Sequence, residues 1–288
     1  MITAACGQAR PPGGEPRLDT PVEVANAVYQ AYRAGASIAQ IRAPSTHDPQ
    51  TGRPRTDLNV WREMLDRIRQ RCDIVVHFGV AAMQIEDRIE LLEVLRPDLA
   101  AFLLGHHDLA TRGRSLNSLR TREDCLRLVQ AHLELGIKPE FEVFHSGHVW
   151  NLNYVLEQVE LPRPLYWTLF FGWDGGEWSP PTVEELLNRC QLVPRDALYT
   201  VTVAGLEQLA VQLLAISRGG HVRIGLGDYP YMPNGELAMS TAQQVAGIVR
   251  LADQVGREVA TPAEARRQLA IDQPARFANA TAHAPRPG

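Results

Sequence analysis

Short, near-continuous apolar runs alternate with longer amphipathic stretches along the chain. The runs fall at residues 2–7, 36–43, 73–80, 99–105, 139–144, 165–172, 197–205 and 221–227. Between them, residues 22–35, 58–72, 85–95, 122–136, 151–159, 182–190 and 206–220 repeat apolar positions at helical spacing, and residues 240–256 form a last such stretch. Strands apolar on both faces and separated by amphipathic helices belong to a parallel sheet covered on both sides. Eight strand–helix repeats predict an α/β fold of the (β/α)8 TIM barrel type, as a single domain over residues 1–271. An open doubly wound sheet is the competing arrangement. The text after the first run, CGQARPPGG, lacks a G-x-G-x-x-G and carries two prolines where a helix would begin, which argues against a dinucleotide site. Residues 272–288, rich in Ala, Pro and Arg, are expected to form a disordered tail.

Composition narrows the chemistry. The formal net charge of −4 over 288 residues disfavours nucleic acid and anionic membrane as partners. Of 29 basic residues only Lys138 is a lysine. A Schiff base needs an amine that can lose its proton, which arginine does not supply, so one candidate remains for imine chemistry. Lys138 precedes the fifth apolar run, on the side of a barrel away from the catalytic face. Cys6, Cys72, Cys125 and Cys190 show no paired spacing, which suggests neither a zinc ribbon nor a disulfide framework. With no signal-peptide pattern and no apolar run near 18 residues, a cytoplasmic protein is expected.

In this fold, polar residues toward the C-terminal ends of strands carry the information about function. Glu140 and Glu142 alternate with Phe141 and Val143, so both carboxylates share one face of the fifth strand. Either arginines inside the barrel neutralise them, or they form a ligand or general-base face. His77 lies in the third strand, His106 and His107 follow the fourth, and His145 and His148 follow the fifth. Imidazole suits both a divalent metal and proton transfer near neutral pH. Gln40 and Arg42 alternate on the second strand. Arg223 lies within the eighth strand and Asp228 at its end. Buried arginines need a carboxylate partner or an anionic ligand, and pairing of Arg42 and Arg223 with Glu140 and Glu142 competes with substrate anchoring. Two loops, residues 111–124 and 172–181, fall at the active face by strand order, and Trp173 and Trp178 in the second either cover a ligand or pack.

These residues carry a family resemblance. PEFEVFHSGH (139–148), GGHVRIGLGD (219–228) and GREVATPAEARRQL (256–269), together with AGASIAQIRA (34–43), resemble the β-keto acid cleavage enzymes over about residues 2–271. That family includes the 3-keto-5-aminohexanoate cleavage enzyme. The resemblance implies an oligomeric (β/α)8 barrel that binds zinc and condenses a β-keto acid with acetyl-CoA. A retro-Claisen step then releases acetoacetate and a new acyl-CoA. It also implies zinc ligands from a His-x-His pair on the second strand and a glutamate before the aspartate that follows the eighth. Here those positions are Gln40, Arg42 and Gly227. A serine or threonine after the third strand is Gly79, a threonine after the fourth is His106, and a glutamate near the end of the first is Ala9 or Arg10. Arg223 and Asp228, which the resemblance assigns to proton handling, are present.

Two repairs are open. Arg42 can stand where the zinc charge stood and bind or polarise the keto acid, donating hydrogen bonds in place of a Lewis acid. Alternatively a divalent metal has moved to His77, His106 and His145, with Glu142, for a different reaction such as hydrolysis or isomerisation. The expected function is therefore a carbon–carbon bond-forming or bond-cleaving enzyme of the β-keto acid cleavage type, a lyase or acyltransferase, with altered chemistry on a small anionic carbonyl compound. The competing reading is a barrel that binds small ligands without catalysis. Expected catalytic residues are Arg223, Asp228, His106 and Glu142, with Arg42, Gln40, Glu140, His77 and His145 contacting substrate. Expected partners are that substrate, a CoA thioester and further copies of the chain.

Overall fold

The computed structural model describes residues 1–7, 20–43, 46–47, 54–79, 83–111, 114–173 and 178–271. Eight parallel strands close a barrel: β1 Ile2–Cys6, β2 Ile38–Ile41, β3 Val75–Phe78, β4 Leu99–Leu103, β5 Lys138–Val143, β6 Leu165–Phe171, β7 Ala197–Val203 and β8 His221–Ile224. Each pairs with its neighbours in sequence, and β8 returns to β1 through Thr3 opposite Arg223. The expected (β/α)8 barrel is the fold, and its right-handed β–α–β connections account for the order.

Helices α1 Pro21–Arg33, α2 Leu58–Arg69, α3 Ile85–Leu95, α4 Arg122–Leu135, α5 Ser146–Gln158, α6 Val183–Leu192, α7 Gln208–Ser217 and α8 Thr241–Gln254 surround it. Local chemistry sets several of their ends. Thr20 with Glu23 and Thr121 with Asp124 form capping boxes, and Gly136 ends α4 in the left-handed region. The structure corrects the expected bounds of the fifth helix, which starts at Ser146 rather than 151, because His145 Nδ1 accepts from the Gly147 amide and caps it. It adds a ninth helix, α9 Pro262–Leu269, started by a Thr261–Glu264 capping box. Part of the segment expected as a loop is instead an antiparallel ribbon of His107–Thr111 with Arg114–Ser118. Ala9, Arg10, the tail from residue 272, and residues 174–177 between the two loop tryptophans lie outside the described residues.

The pleat puts alternate residues inside the barrel. At its N-terminal end Met1, Ile38, Val75, Leu99 and Tyr166 pack together, and Ala265 and Leu269 of α9 close that end. Lys138 is also there, bonded to the Pro162 carbonyl at 3.2 Å and far from the opposite mouth. Above this layer the interior becomes polar, with Thr3, Gln40, His77, Glu140, Thr168, Thr200 and Arg223 all buried. At the mouth, Leu103, Phe144 and Phe170 form an apolar wall against which Trp178 packs.

Candidate active site

The eighth strand stops at Ile224 because Gly225 turns the chain with φ +156° and lies directly on the backbone of Ala5, where a side chain has no room. That turn swings Asp228 back over the end of the barrel, where three side chains converge on it. Arg223 donates to both carboxylate oxygens, Nε to Oδ2 at 2.7 Å and Nη2 to Oδ1 at 2.8 Å. Arg42 donates from Nη2 to Oδ1 at 2.9 Å and from Nη1 to the Gly227 carbonyl at 2.7 Å. Thr202 donates to Oδ2 at 3.1 Å. Burial alone would raise the Asp228 carboxyl, but the Arg223 and Arg42 guanidinium groups override it and hold the acid far below the usual carboxylate range. Asp228 is therefore a fixed anion.

A second group sits one layer deeper. His77 Nε2 lies 2.9 Å from Glu140 Oε2, and Thr168 donates to Glu140 Oε1. Arg223 Nη1 stands 3.7 Å from the same carboxylate. Burial works against ionisation of Glu140, and His77 followed by Arg223 reverses this, lowering its affinity for a proton. Arg223 thus links two carboxylates, Asp228 and Glu140, while its guanidinium carbon sits 5.1 Å above the Phe170 ring.

Glu142 behaves in the opposite way. It is 3% exposed, and its Oε2 has no hydrogen-bond partner among the described residues. Burial and then the Glu140 charge push its carboxyl up to about 7, against the pull of Arg223, Arg88 and Arg42. A carboxyl with a free oxygen, titrating near neutrality inside a charged cluster, has the properties of a proton carrier.

Seven of the expected site residues thus belong to one connected interior: Gln40, Arg42, His77, Glu140, Glu142, Arg223 and Asp228. The arginines pair first with Asp228, and Arg223 only secondarily with Glu140. His106 and His145 have other surroundings. His106 is exposed, its Nδ1 accepting from the Arg120 amide at 3.2 Å. His145 caps α5, with its ring 4.1 Å from that of His148. His148 itself lies in α5, its Nε2 donating to the His106 carbonyl at 3.0 Å and its Nδ1 accepting from the Phe144 amide at 3.3 Å. Among the described residues, no three His, Cys, Asp or Glu side chains gather as a metal would require.

Three participants were not anticipated. Thr168 and Thr202 support the two carboxylates, and their signal was polar residues two apart within apolar runs, Tyr166 and Thr168 in LYWTLFF (165–171) and Thr200 and Thr202 in ALYTVTV (197–203). Arg88 on α3 is fully buried, with none of its three nitrogens hydrogen-bonded among the described residues. Burial pulls it down to about 9, and Glu142 is its strongest counter-charge. It occupies a place in the apolar stripe Ile85–Arg88–Leu92–Leu95, where a charge was visible but was not singled out.

The zinc implied by the resemblance does not fit this donor set. Gly227 offers no side chain, Gln40 only a neutral amide, and Arg42 a cation without a lone pair. The Arg42 guanidinium is also already bonded across the position, to Gly227 and Asp228.

The family model for the beta-keto acid cleavage enzyme matches residues 1–271. The chain is 30% identical over 277 residues to a 3-keto-5-aminohexanoate cleavage enzyme of Fusobacterium nucleatum, covering 94% of this chain and 97% of that protein. It is 26% identical to a 3,5-dioxohexanoate:acetyl-CoA acetone transferase of Paraburkholderia graminis, covering 94% and 95%. Among solved structures, the ternary complex of ObcA with a C4-CoA adduct and oxalate superposes with a TM-score of 0.67 at 15% identity. That match covers 88% of this chain and 67% of the other, and it shows likeness of fold.

Proposed function

This chain belongs to the β-keto acid cleavage enzyme family, and we propose that it takes a small β-keto acid at the barrel mouth and moves a proton at the carbon between its two carbonyls. Carbon–carbon bond exchange with an acyl-CoA follows from the carbanion so formed. The relatives' names, which speak of keto acid cleavage and acetyl-CoA transfer, support the reaction class. The observation that carries the reading is the contrast between two buried carboxyls: Asp228 is clamped by Arg223, Arg42 and Thr202, whereas Glu142 Oε2 has no hydrogen-bond partner among the described residues, and burial with the Glu140 charge pushes its carboxyl up to about 7.

The roles follow from that contrast. A base held far below the carboxylate range has little tendency to take a proton, so Asp228 holds Arg42 and Arg223 in place. Glu142, ionised, accepts the proton from the substrate carbon and, once protonated, returns it. The developing enolate oxygen is stabilised by guanidinium N–H groups in a largely dry site, where such bonds count for more than in water. His106, at the exposed rim, contributes to substrate entry, and His77 keeps Glu140 ionised below the site. Leu103, Phe144 and Phe170 leave an apolar wall against the uncharged end of the substrate.

Proton exchange can be observed without knowing the acyl partner. Acetoacetate in deuterated buffer, followed by NMR, should lose its C2 protons faster with the protein than without it. A set of β-keto acids incubated with acetyl-CoA should yield a new acyl-CoA by mass spectrometry. Glu142→Gln should lower both rates by about 100-fold or more. Saturable binding of keto acids with neither exchange nor product would instead establish a binding barrel.

A further inference from the structure

The residues around Arg42 differ from a metal-binding arrangement as a set, in ways that fit each other. A Cβ at Gly79 would fall on Gln40 Nε2 and would stand 3.1 Å from Arg42 Cγ. Gln40 and Arg42 therefore fill room that exists only because residue 79 has no side chain. On the other side, a Cβ at Gly227 would stand 2.9 Å from the Ala5 carbonyl oxygen and 3.3 Å from that of Gly7, both backbone atoms that do not rotate away. A ligating side chain at position 227 therefore has no space without a shift of β1. Into this frame Arg42 extends and bonds to the Gly227 carbonyl and the Asp228 carboxylate.

Two features show capacity for a ligand. The Gln40 amide is buried, and neither its nitrogen nor its oxygen has a partner among the described residues. A buried amide left unpaired is unfavourable, so its retention beside a guanidinium points to an occupant that satisfies it. The Arg42 side chain is 32% exposed, whereas Asp228 beneath it is 3% exposed. Arg42 is thus the cation that an anion entering the mouth meets.

Building on the proposed function, we infer that this site takes its β-keto acid without a metal, with Arg42 binding the carboxylate or keto oxygen and the Gln40 amide making the second polar contact. A guanidinium can offer two parallel N–H bonds to such a group while keeping Asp228 as its support. The ligand class is a small carboxylate with a carbonyl two carbons away. A divalent cation is excluded by the charge of Arg42 and by the missing donors.

The test has two independent arms. In the first, protein purified without chelator is analysed for metal and then titrated with zinc by calorimetry. Less than about 0.1 zinc per chain and no micromolar uptake are expected, since genuine zinc sites are normally well occupied. Zinc near one per chain, or micromolar zinc uptake, would overturn the inference. In the second arm, acetoacetate binding is followed by thermal shift and calorimetry in the presence of EDTA. Binding should survive EDTA, weaken at least tenfold in Arg42→Ala, and recover in part in Arg42→Lys. Should acetoacetate bind only with zinc, or bind Arg42→Ala as well as the parent, the assignment to Arg42 is wrong. Should it bind under no condition, the proposed function fails while the metal arm still decides the metal-free site. Arg42→Gln, which keeps a hydrogen-bonding amide, guards against simple misfolding of the alanine variant.

Discussion

Arg223 and Asp228 are joined by two parallel hydrogen bonds, at 2.7 and 2.8 Å, and both side chains are buried. Removing one partner leaves an uncompensated charge in the barrel, and breaking a buried pair in this way costs about 3–5 kcal/mol. Asp228→Asn and Arg223→Met are each expected to lower stability by that order in urea unfolding. The effects should not add. The double variant should come out less destabilised than the sum by about 0.5–3 kcal/mol, the usual range for residues in contact. Full additivity would mean the pair carries no coupling.

The barrel was legible because strand and helix differ in period, and because eight apolar runs of near-equal length leave few other closures. The paired carboxylates of β5 were legible for the same reason: Glu140 and Glu142 are two residues apart in a run, residues 139–144, that is otherwise apolar. Their different states were not. Glu140 meets His77 of β3 and Thr168 of the neighbouring β6, whereas Glu142 Oε2 has no hydrogen-bond partner among the described residues, and such partners come from residues distant in sequence. The histidine cluster misled for a related reason. His77, His106 and His145 lie in or just after successive strands, but one points into the barrel, one stands in solvent, and one turns back to cap a helix. The ninth helix was hidden because its length is short and its two arginines dilute its apolar face, although Ala265 and Leu269 close the barrel floor.

The overlap between Gly79 and Gln40 makes a coupling test. Gly79→Ala places a methyl group on the Gln40 amide, and forcing atoms into a packed interior typically costs about 1–3 kcal/mol. Gln40→Ala removes the obstacle. The double variant Gln40→Ala/Gly79→Ala is therefore expected to be more stable than Gly79→Ala alone, as read by thermal unfolding. If Gly79→Ala is harmless by itself, the Gln40 side chain does not occupy that space in solution.

Three of the buried histidines, His107, His132 and His148, illustrate how the fold becomes sensitive to acid. Burial is the main cause in each case, holding His107 and His148 to about 4 and His132 to about 3, against about 6.5 when unfolded. Above pH 6.5 all three are neutral in both states. Below it, the unfolded chain takes up protons that the folded chain does not, so stability present at neutral pH is lost as pH falls toward 4. Each such histidine contributes a slope of about 1.4 kcal/mol per pH unit near pH 5. Denaturation series at pH 7, 6 and 5 should show this loss. His132→Gln should flatten the slope by about one proton, and an unchanged slope would place His132 in contact with solvent.

Glu142 acts in the opposite sense. Its folded value, about 7, lies above the 4.5 of the free side chain, because burial and Glu140 disfavour its charge. Below pH 4.5 the carboxyl is protonated in both states and carries no ionisation penalty. As pH rises through 7, the folded protein must ionise it at a cost of at most about 3 kcal/mol. Glu142→Gln has no proton to lose. The variant should match the parent at pH 4.5 and exceed it in stability at pH 8, while losing C2 exchange on acetoacetate. In the parent, exchange should rise with pH through about 7, where the carboxylate forms. Arg88→Met removes a charge that favours that carboxylate, so it should move the rise to higher pH. A carboxyl that only braced the barrel would lose stability on substitution by glutamine at every pH. A gain at alkaline pH combined with lost exchange is therefore specific to a proton carrier held in an unfavourable setting.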